Sequence, residues 1–163
     1  FVANRTIEEL LKDVRVVLFD FDGTMTDGTV IVDQNGLESV RVSRKDGLGI
    51  SMLNRAGYDV AVVSKEENPV VAVRCKKLRI PCYQGVDDKS EFLMHMFGHR
   101  LSQVLFMGDD INDLECIQLA GVGVTVADGH AKCKEAAVFI TQARGGDHAV
   151  REVCDRILNI TQS

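Results

Sequence analysis

The chain carries Asp20-Phe21-Asp22-Gly23-Thr24-Met25-Thr26 at the carboxyl end of one apolar run, and Gly108-Asp109-Asp110-Ile111-Asn112-Asp113 at the end of another. In extended backbone, residues i and i+2 point to the same side, so Asp20 and Asp22 face one crevice. Gly23 permits a tight turn just beyond. Either cluster alone also reads as a polar turn. Two of them at two strand ends crowd carboxylates with no matching cations beside them, which is costly unless protons or a cation neutralise the charge. All-oxygen ligands favour a hard cation, and sparse protein ligation together with a phosphate suits Mg²⁺. A cation is therefore expected where the two clusters, with Asp20 and Asp22 in one and Asp109, Asp110 and Asp113 in the other, come together.

Two further residues have suitable chemistry. Ser64 ends the run Tyr58-Asp59-Val60-Ala61-Val62-Val63, where its hydroxyl can donate to a phosphate oxygen; a Ser in that place also serves as a turn or helix cap. Lys89 opens a helical stretch after the turn Val86-Asp87-Asp88, where it is either surface charge or a counter-charge for phosphate and nucleophile. Asp20, Asp22, Ser64 and Lys89 together suggest phosphoryl transfer through an aspartyl phosphate.

The elements that must position these groups alternate in type. Thr6-Ile7-Glu8-Glu9 is a capping-box pattern that opens a short helix. Val14 to Phe21 is a β-branched run of the kind buried on both faces. Thr29 to Val42 contains Asn35-Gly36, a strong hairpin signal, so a hairpin follows the first strand. The spacing predicts a helix over 47–56 stopped by Gly57, a strand from Tyr58 to Val63, and a helix from Pro69 to about Leu78 capped by Asn68. Strands at Ile80–Gln84, Val104–Met107, Gly121–Val126 and Val138–Thr141 then alternate with helices at 89–99, 112–119, 130–136 and 147–159. This order implies an α/β fold, a doubly wound parallel sheet with helices on both faces and one hairpin insertion. Residues 1–163 read as one domain.

Composition narrows the partners. The chain has 163 residues, 45% hydrophobic and 26% charged, with a formal net charge of −5. Neither nucleic acid nor an anionic membrane is an expected partner, and no apolar run approaches the ~18 residues of a membrane span. Arg74, Lys76, Lys77 and Arg79 read as the solvated face of a helix. Five scattered cysteines without a CxxC pair suggest neither a disulfide framework nor a zinc site, and fit a reduced compartment, cytosol or nucleus. His95, His99 and His130 form no ligand pattern. The first residue is Phe1 rather than Met, which suggests a piece of a longer protein.

The sequence DFDGTMTDG, the strand-ending Ser64, Lys89 and GDDIND, in this order, resemble the haloacid dehalogenase (HAD) superfamily of phosphatases. The resemblance implies Asp20 as nucleophile, Asp22 as general acid/base, and Mg²⁺ held by Asp20, the Asp22 backbone carbonyl and Asp109, with Asp110 and Asp113 in support. The segments DGTVIVDQNG, RKDGLGI, VADGH and GGDHAVREVCD are similar to the 3-deoxy-D-manno-octulosonate 8-phosphate phosphatase subfamily, which implies no large cap domain and a homotetramer formed through the hairpin 29–42. The chain as written looks most like the carboxy-terminal domains of animal N-acylneuraminate cytidylyltransferases, the CMP-sialic acid synthetases. That likeness implies a cytidylyltransferase domain as a partner in the same chain, with nuclear residence. These 163 residues contain no P-loop or Gly-rich nucleotide fingerprint.

Two departures from the subfamily pattern bear on function. Ser64-Lys65-Glu66 stands in place of Thr-Gly-Arg, and Gly145-Gly146-Asp147-His148 in place of Gly-Gly-Arg-Gly. An acid in place of Arg turns attraction for a carboxylate into repulsion, and His148 is expected near the site. The leading expectation is therefore a tetramerisation and regulatory module of a cytidylyltransferase that retains its Mg²⁺ site. The alternative is an active Mg²⁺-dependent phosphatase of a small sugar phosphate. A phosphoacceptor signalling domain is a third class, disfavoured because Asp22 as acid/base promotes hydrolysis over storage.

Overall fold

The structure, a computed structural model, describes residues 4–160, so Phe1 lies outside the described residues. After α1 (Ile7–Asp13) the chain enters β1 (Val16–Phe19) and the hairpin β2 (Ile31–Val32) and β3 (Glu38–Ser39). It continues through α2 (Arg44–Arg55), β4 (Asp59–Val63), α3 (Pro69–Leu78), β5 (Cys82–Tyr83) and α4 (Lys89–Phe97). The remainder is β6 (Val104–Gly108), α5 (Leu114–Leu119), β7 (Val122–Thr125), α6 (Ala131–Ala136), β8 (Phe139–Ile140) and α7 (Ala149–Ile157). Among the described residues no helix is long and apolar enough to cross a membrane.

The sheet has six strands in the order β5-β4-β1-β6-β7-β8, all parallel neighbours. β1 sits between β4 and β6, with Phe19 opposite Val62 and Met107. Its side chains alternate between two cores. Val17 and Phe19 pack on the α1, α2, α3 and α7 side, Val16 and Leu18 on the α4, α5 and α6 side. All four are essentially inaccessible, which is why β1 reads as an uninterrupted apolar run rather than an alternating one. The expected doubly wound α/β architecture is present.

Local rules account for most element ends. Thr6 and Glu9 form the capping box of α1, and Asn68 caps α3 with Pro69 at its first position. α2 begins earlier than its apolar spacing suggests, because the Ser43 hydroxyl accepts from the backbone N–H groups of Lys45 and Asp46. The strands are shorter than their apolar runs, and a 3-10 segment, Gly98–Gln103, replaces the expected end of α4. The hairpin is confirmed in shortened form: Asp33 Oδ1 accepts from Asn35 N and Leu37 N, and Gly36 supplies the positive φ of the turn. Arg74 corrects the reading of a solvated basic face. It is half-buried and its Nη2 donates to the Ser43 carbonyl at 3.0 Å, tying α3 to the start of α2.

α2 and α7 pack together around a buried carboxylate. Asp46 is 3% exposed. Its Oδ1 accepts from Arg151 N at 2.9 Å, while Oδ2 has no protein partner. Burial pushes the Asp46 carboxyl up to about 6, against the Arg151 backbone hydrogen bond and the nearby His148, Arg74 and Arg151. An unfolded aspartate titrates near about 3.9, so between about pH 4 and pH 6 the native state holds a proton that the unfolded chain has released. Stability from this site therefore falls as pH rises through that window and is level above it. Asp46→Asn retains the oxygen facing Arg151 and is expected to flatten this slope. Its melting temperature relative to the parent should be a few degrees more favourable at about pH 7.5 than at about pH 4.5. Thermal scans at both values check this, and equal shifts would refute it.

Candidate active site

The chemistry-bearing residues meet at the carboxyl ends of three adjacent strands, the ligand-binding edge of an open α/β sheet. Asp20 follows β1, Ser64 follows β4 and Asp109 follows β6; Lys89 is the first residue of α4. Together with Asp22 they line one cavity of about 610 Å³. The structure thus gathers the four expected catalytic residues and the three expected metal residues.

Lys89 is the centre of the floor. Its Nζ lies 2.6 Å from Asp20 Oδ1 and 2.8 Å from Asp113 Oδ1, with a side chain only 1% exposed. Burial alone would favour neutral Lys89, but the two carboxylates overcome it and hold the ammonium charged beyond its ordinary range. Asp113 is sealed and uses its second oxygen as well, accepting from Asp109 N at 3.0 Å and Asp110 N at 3.4 Å. Asp110 is exposed, and its carboxylate accepts from Ile111 N at the start of a 3-10 turn.

The carboxylates outnumber this ammonium. One oxygen from each of Asp20, Asp109 and Asp113 falls within 4.8 Å of the others. Burial raises Asp20 well above its usual range, and the Asp113 charge adds to this. Burial likewise raises Asp109 to about 6, with Asp113 and Asp110 adding repulsion. Three acids against one lysine leave a buried excess of negative charge. An all-oxygen donor set with that excess fits a hard divalent cation. Asp113 is engaged by Lys89 and two N–H groups, so the side chains left to ligate are Asp20 and Asp109. The Asp22 carboxyl lies outside this group; it is half-buried, and burial followed by the Glu66 charge raises it.

Close approach of backbone to carboxylate explains Gly23. Its φ is +82°, and a Cβ there would overlap the Asp109 carboxylate. Ser64 is buried, and its Oγ accepts from Glu66 N at 3.1 Å. It is therefore the turn residue of its loop and leaves its O–H to donate into the cavity.

His148 corrects an expectation. The segment beside the site loop is Gly145-Gly146, whose Gly146 N donates to Thr24 O at 3.2 Å. A φ of +74° at His148 turns the chain away, and its Nδ1 meets Ser43 Oγ at 2.8 Å, at the cap of α2. Sequence reasoning missed Glu67 and Asp87 as cavity residues, because acids in turns carry no signal of what they face.

Residues 88–153 match the family of haloacid dehalogenase-like hydrolases. The chain is 34% identical over 161 residues to the 3-deoxy-D-manno-octulosonate 8-phosphate phosphatase of Yersinia pestis, covering 96% of this chain and 86% of that protein. It is similar to the Moraxella catarrhalis phosphatase of the same name, solved with magnesium, phosphate and a KDO molecule (TM-score 0.91, 33% identity, 95% of this chain and 91% of that one). It is also similar to the cobalt-bound deoxy-D-mannose-octulosonate 8-phosphate phosphatase of Haemophilus influenzae (TM-score 0.86, 34% identity, 93% and 91%). These relatives overturn the reading of the chain as mainly an assembly module of a cytidylyltransferase. What it aligns with over nearly all its residues are phosphatases, and the partner domain, the CMP-sialic acid role and the nuclear residence fall with that reading.

The Lys89 pairing has a measurable cost. Asp113→Ala removes one partner of a buried ion pair and strands two N–H groups, an expected loss of about 3–5 kcal/mol. Asp110→Ala removes only an exposed cap and should cost about 1 kcal/mol. Denaturant unfolding of both variants checks the ranking, and similar losses would contradict it.

Proposed function

We propose, from the premise that this chain belongs to the haloacid dehalogenase-like hydrolases and to their 3-deoxy-D-manno-octulosonate 8-phosphate phosphatase-like subfamily, that it is a Mg²⁺-dependent phosphatase of a small phosphorylated sugar. The observation that carries the reading is the gathering of Asp20, Asp22, Ser64, Lys89 and Asp109 around one cavity.

In this reading an oxygen of Asp20 attacks phosphorus, the bond to the sugar oxygen breaks, and an aspartyl phosphate forms on Asp20. Asp22 gives its proton to the departing alkoxide as general acid; burial, followed by the Glu66 charge, raises its carboxyl. Asp22 then takes a proton from a water that attacks the aspartyl phosphate, which frees inorganic phosphate and restores Asp20. Ser64 donates to a phosphoryl oxygen, and Lys89 fixes the Asp20 carboxylate at 2.6 Å for in-line attack. Asp20, Asp109 and the Asp22 carbonyl would hold Mg²⁺, which when bound would supply positive charge to offset the phosphoryl oxygens.

We infer also that the chain assembles with copies of itself, a homotetramer, through the hairpin. Ile31 is 70% exposed and Val32 59% on the first strand of a separate two-stranded sheet, and Leu37, just before its second strand, is 68% exposed. Such a hairpin is marginal alone and gains by covering apolar side chains.

Asp20→Asn is expected to lower phosphate release from sugar phosphates by more than about 10³-fold, and Asp22→Asn by about 10²–10⁴-fold. Chelation should abolish release and added Mg²⁺ restore it. A parental rate in Asp20→Asn would sink the reading. Ile31→Asp with Leu37→Asp should lower the mass seen by light scattering, and a monomeric parent would refute assembly.

A further inference from the structure

The floor of the cavity and its rim carry different charge. On the floor, Lys89 is sealed and committed to Asp20 and Asp113. The rim comes from the loop after β4, with Lys65, Glu66 and Glu67, from the turn after β5, with Asp87, and from the turn after β6, with the exposed Asp110. Four acids thus stand against one lysine where the body of a substrate must lie. Glu66 is a fixed charge: its Oε1 accepts from Asn68 N at 3.0 Å and Glu67 N at 3.2 Å. Gln84 Nε2 clamps the same loop, donating to Glu66 O at 3.1 Å and Asn68 O at 2.9 Å.

We propose that this rim selects phosphomonoesters whose non-phosphate part is neutral or amine-bearing and rejects those that carry a carboxylate. The inference rests on the phosphatase reading and names the substrate class of that same site. It also separates this chain from the relatives, whose octulosonate is a carboxylate. The phosphate end is served by the floor, so the rim acts on what is left. Like charges about 6 Å apart in water weaken association roughly threefold. Four acids less one lysine therefore disfavour a carboxylated ester by about 30-fold and favour an ammonium-bearing one by a similar factor.

The test is kcat/KM for matched esters at low salt with Mg²⁺: glucosamine 6-phosphate, glucose 6-phosphate, 6-phosphogluconate and 3-deoxy-D-manno-octulosonate 8-phosphate, with Asp20→Asn as the blank. The expected order is amino over neutral over carboxylated, with at least about tenfold between the first and the last two. Glu66→Gln combined with Glu67→Gln and Asp87→Asn should compress that ratio toward unity, as should about 0.5 M salt. Glu66→Gln keeps the oxygen that accepts from Asn68 and Glu67, so the loop survives the change. Asp20-dependent turnover that is equal across the panel, or fastest on a carboxylated ester, overturns the selectivity and leaves the phosphatase standing. Absence of Asp20-dependent release from every ester, p-nitrophenyl phosphate included, overturns both.

Discussion

A buried ammonium held by two carboxylates is the constraint on which the site depends. Lys89 cannot stay charged in an apolar interior without partners, and neither can Asp113, which is fully buried. Asp20 hangs from the end of β1 and Asp113 from the turn after β6, while Lys89 opens α4. One ion-paired triad therefore joins three separate segments at the sheet edge. Asp113 extends the lock through its second oxygen, which fixes the backbone of Asp109 and Asp110. The Asp109 carboxylate is thus placed by a neighbour four residues on.

The topology makes this meeting possible. With β1 between β4 and β6, Asp20 is a neighbour in space of Ser64 and Asp109, though these lie 44 and 89 residues further along the chain. The helical layers leave that edge open and cover both faces of the sheet. Backbone closeness does the rest: Gly23 lets its loop lie against Asp109, and Gly145 packs where a Cβ would collide with the Gly23 carbonyl. The tail after β8 thereby braces the loop that carries Asp22.

The parts legible in the sequence are those set by local rules. β-branched runs marked the strands that are buried on both faces, Asn68-Pro69 marked the start of α3, and Asn35-Gly36 marked the hairpin. The aspartates at two strand ends predicted the crowding the structure contains. What stayed hidden depends on contacts between distant segments. Arg74 looked solvated because its acceptor, the Ser43 carbonyl, lies 31 residues away. Asp46 precedes the helix that the apolar spacing predicts, and nothing local signals that α7 buries it. His148 looked like a site residue, and one positive φ sends it to the cap of α2. The larger function was misjudged for a different reason: the substitutions at Glu66 and Asp147 were weighed as loss of activity, whereas Glu66 adds exposed charge to the rim and Asp147 is not among the residues that line the cavity.

That distinction follows from where each group is anchored. Floor residues are buried and mutually hydrogen-bonded, so changing one disturbs folding and chemistry together. Rim residues sit on loops whose shape is set by backbone contacts such as Gly85 N to Glu66 O at 3.3 Å and Val86 N to Ser64 O at 3.1 Å. Their exposed charges can change sign at little cost to stability, since surface ion pairs contribute about 0–1 kcal/mol. A scaffold of this kind keeps phosphoryl transfer constant while the part of the substrate beyond the phosphate is chosen independently. An altered rim over an intact floor is therefore evidence of a different substrate before it is evidence of a lost one.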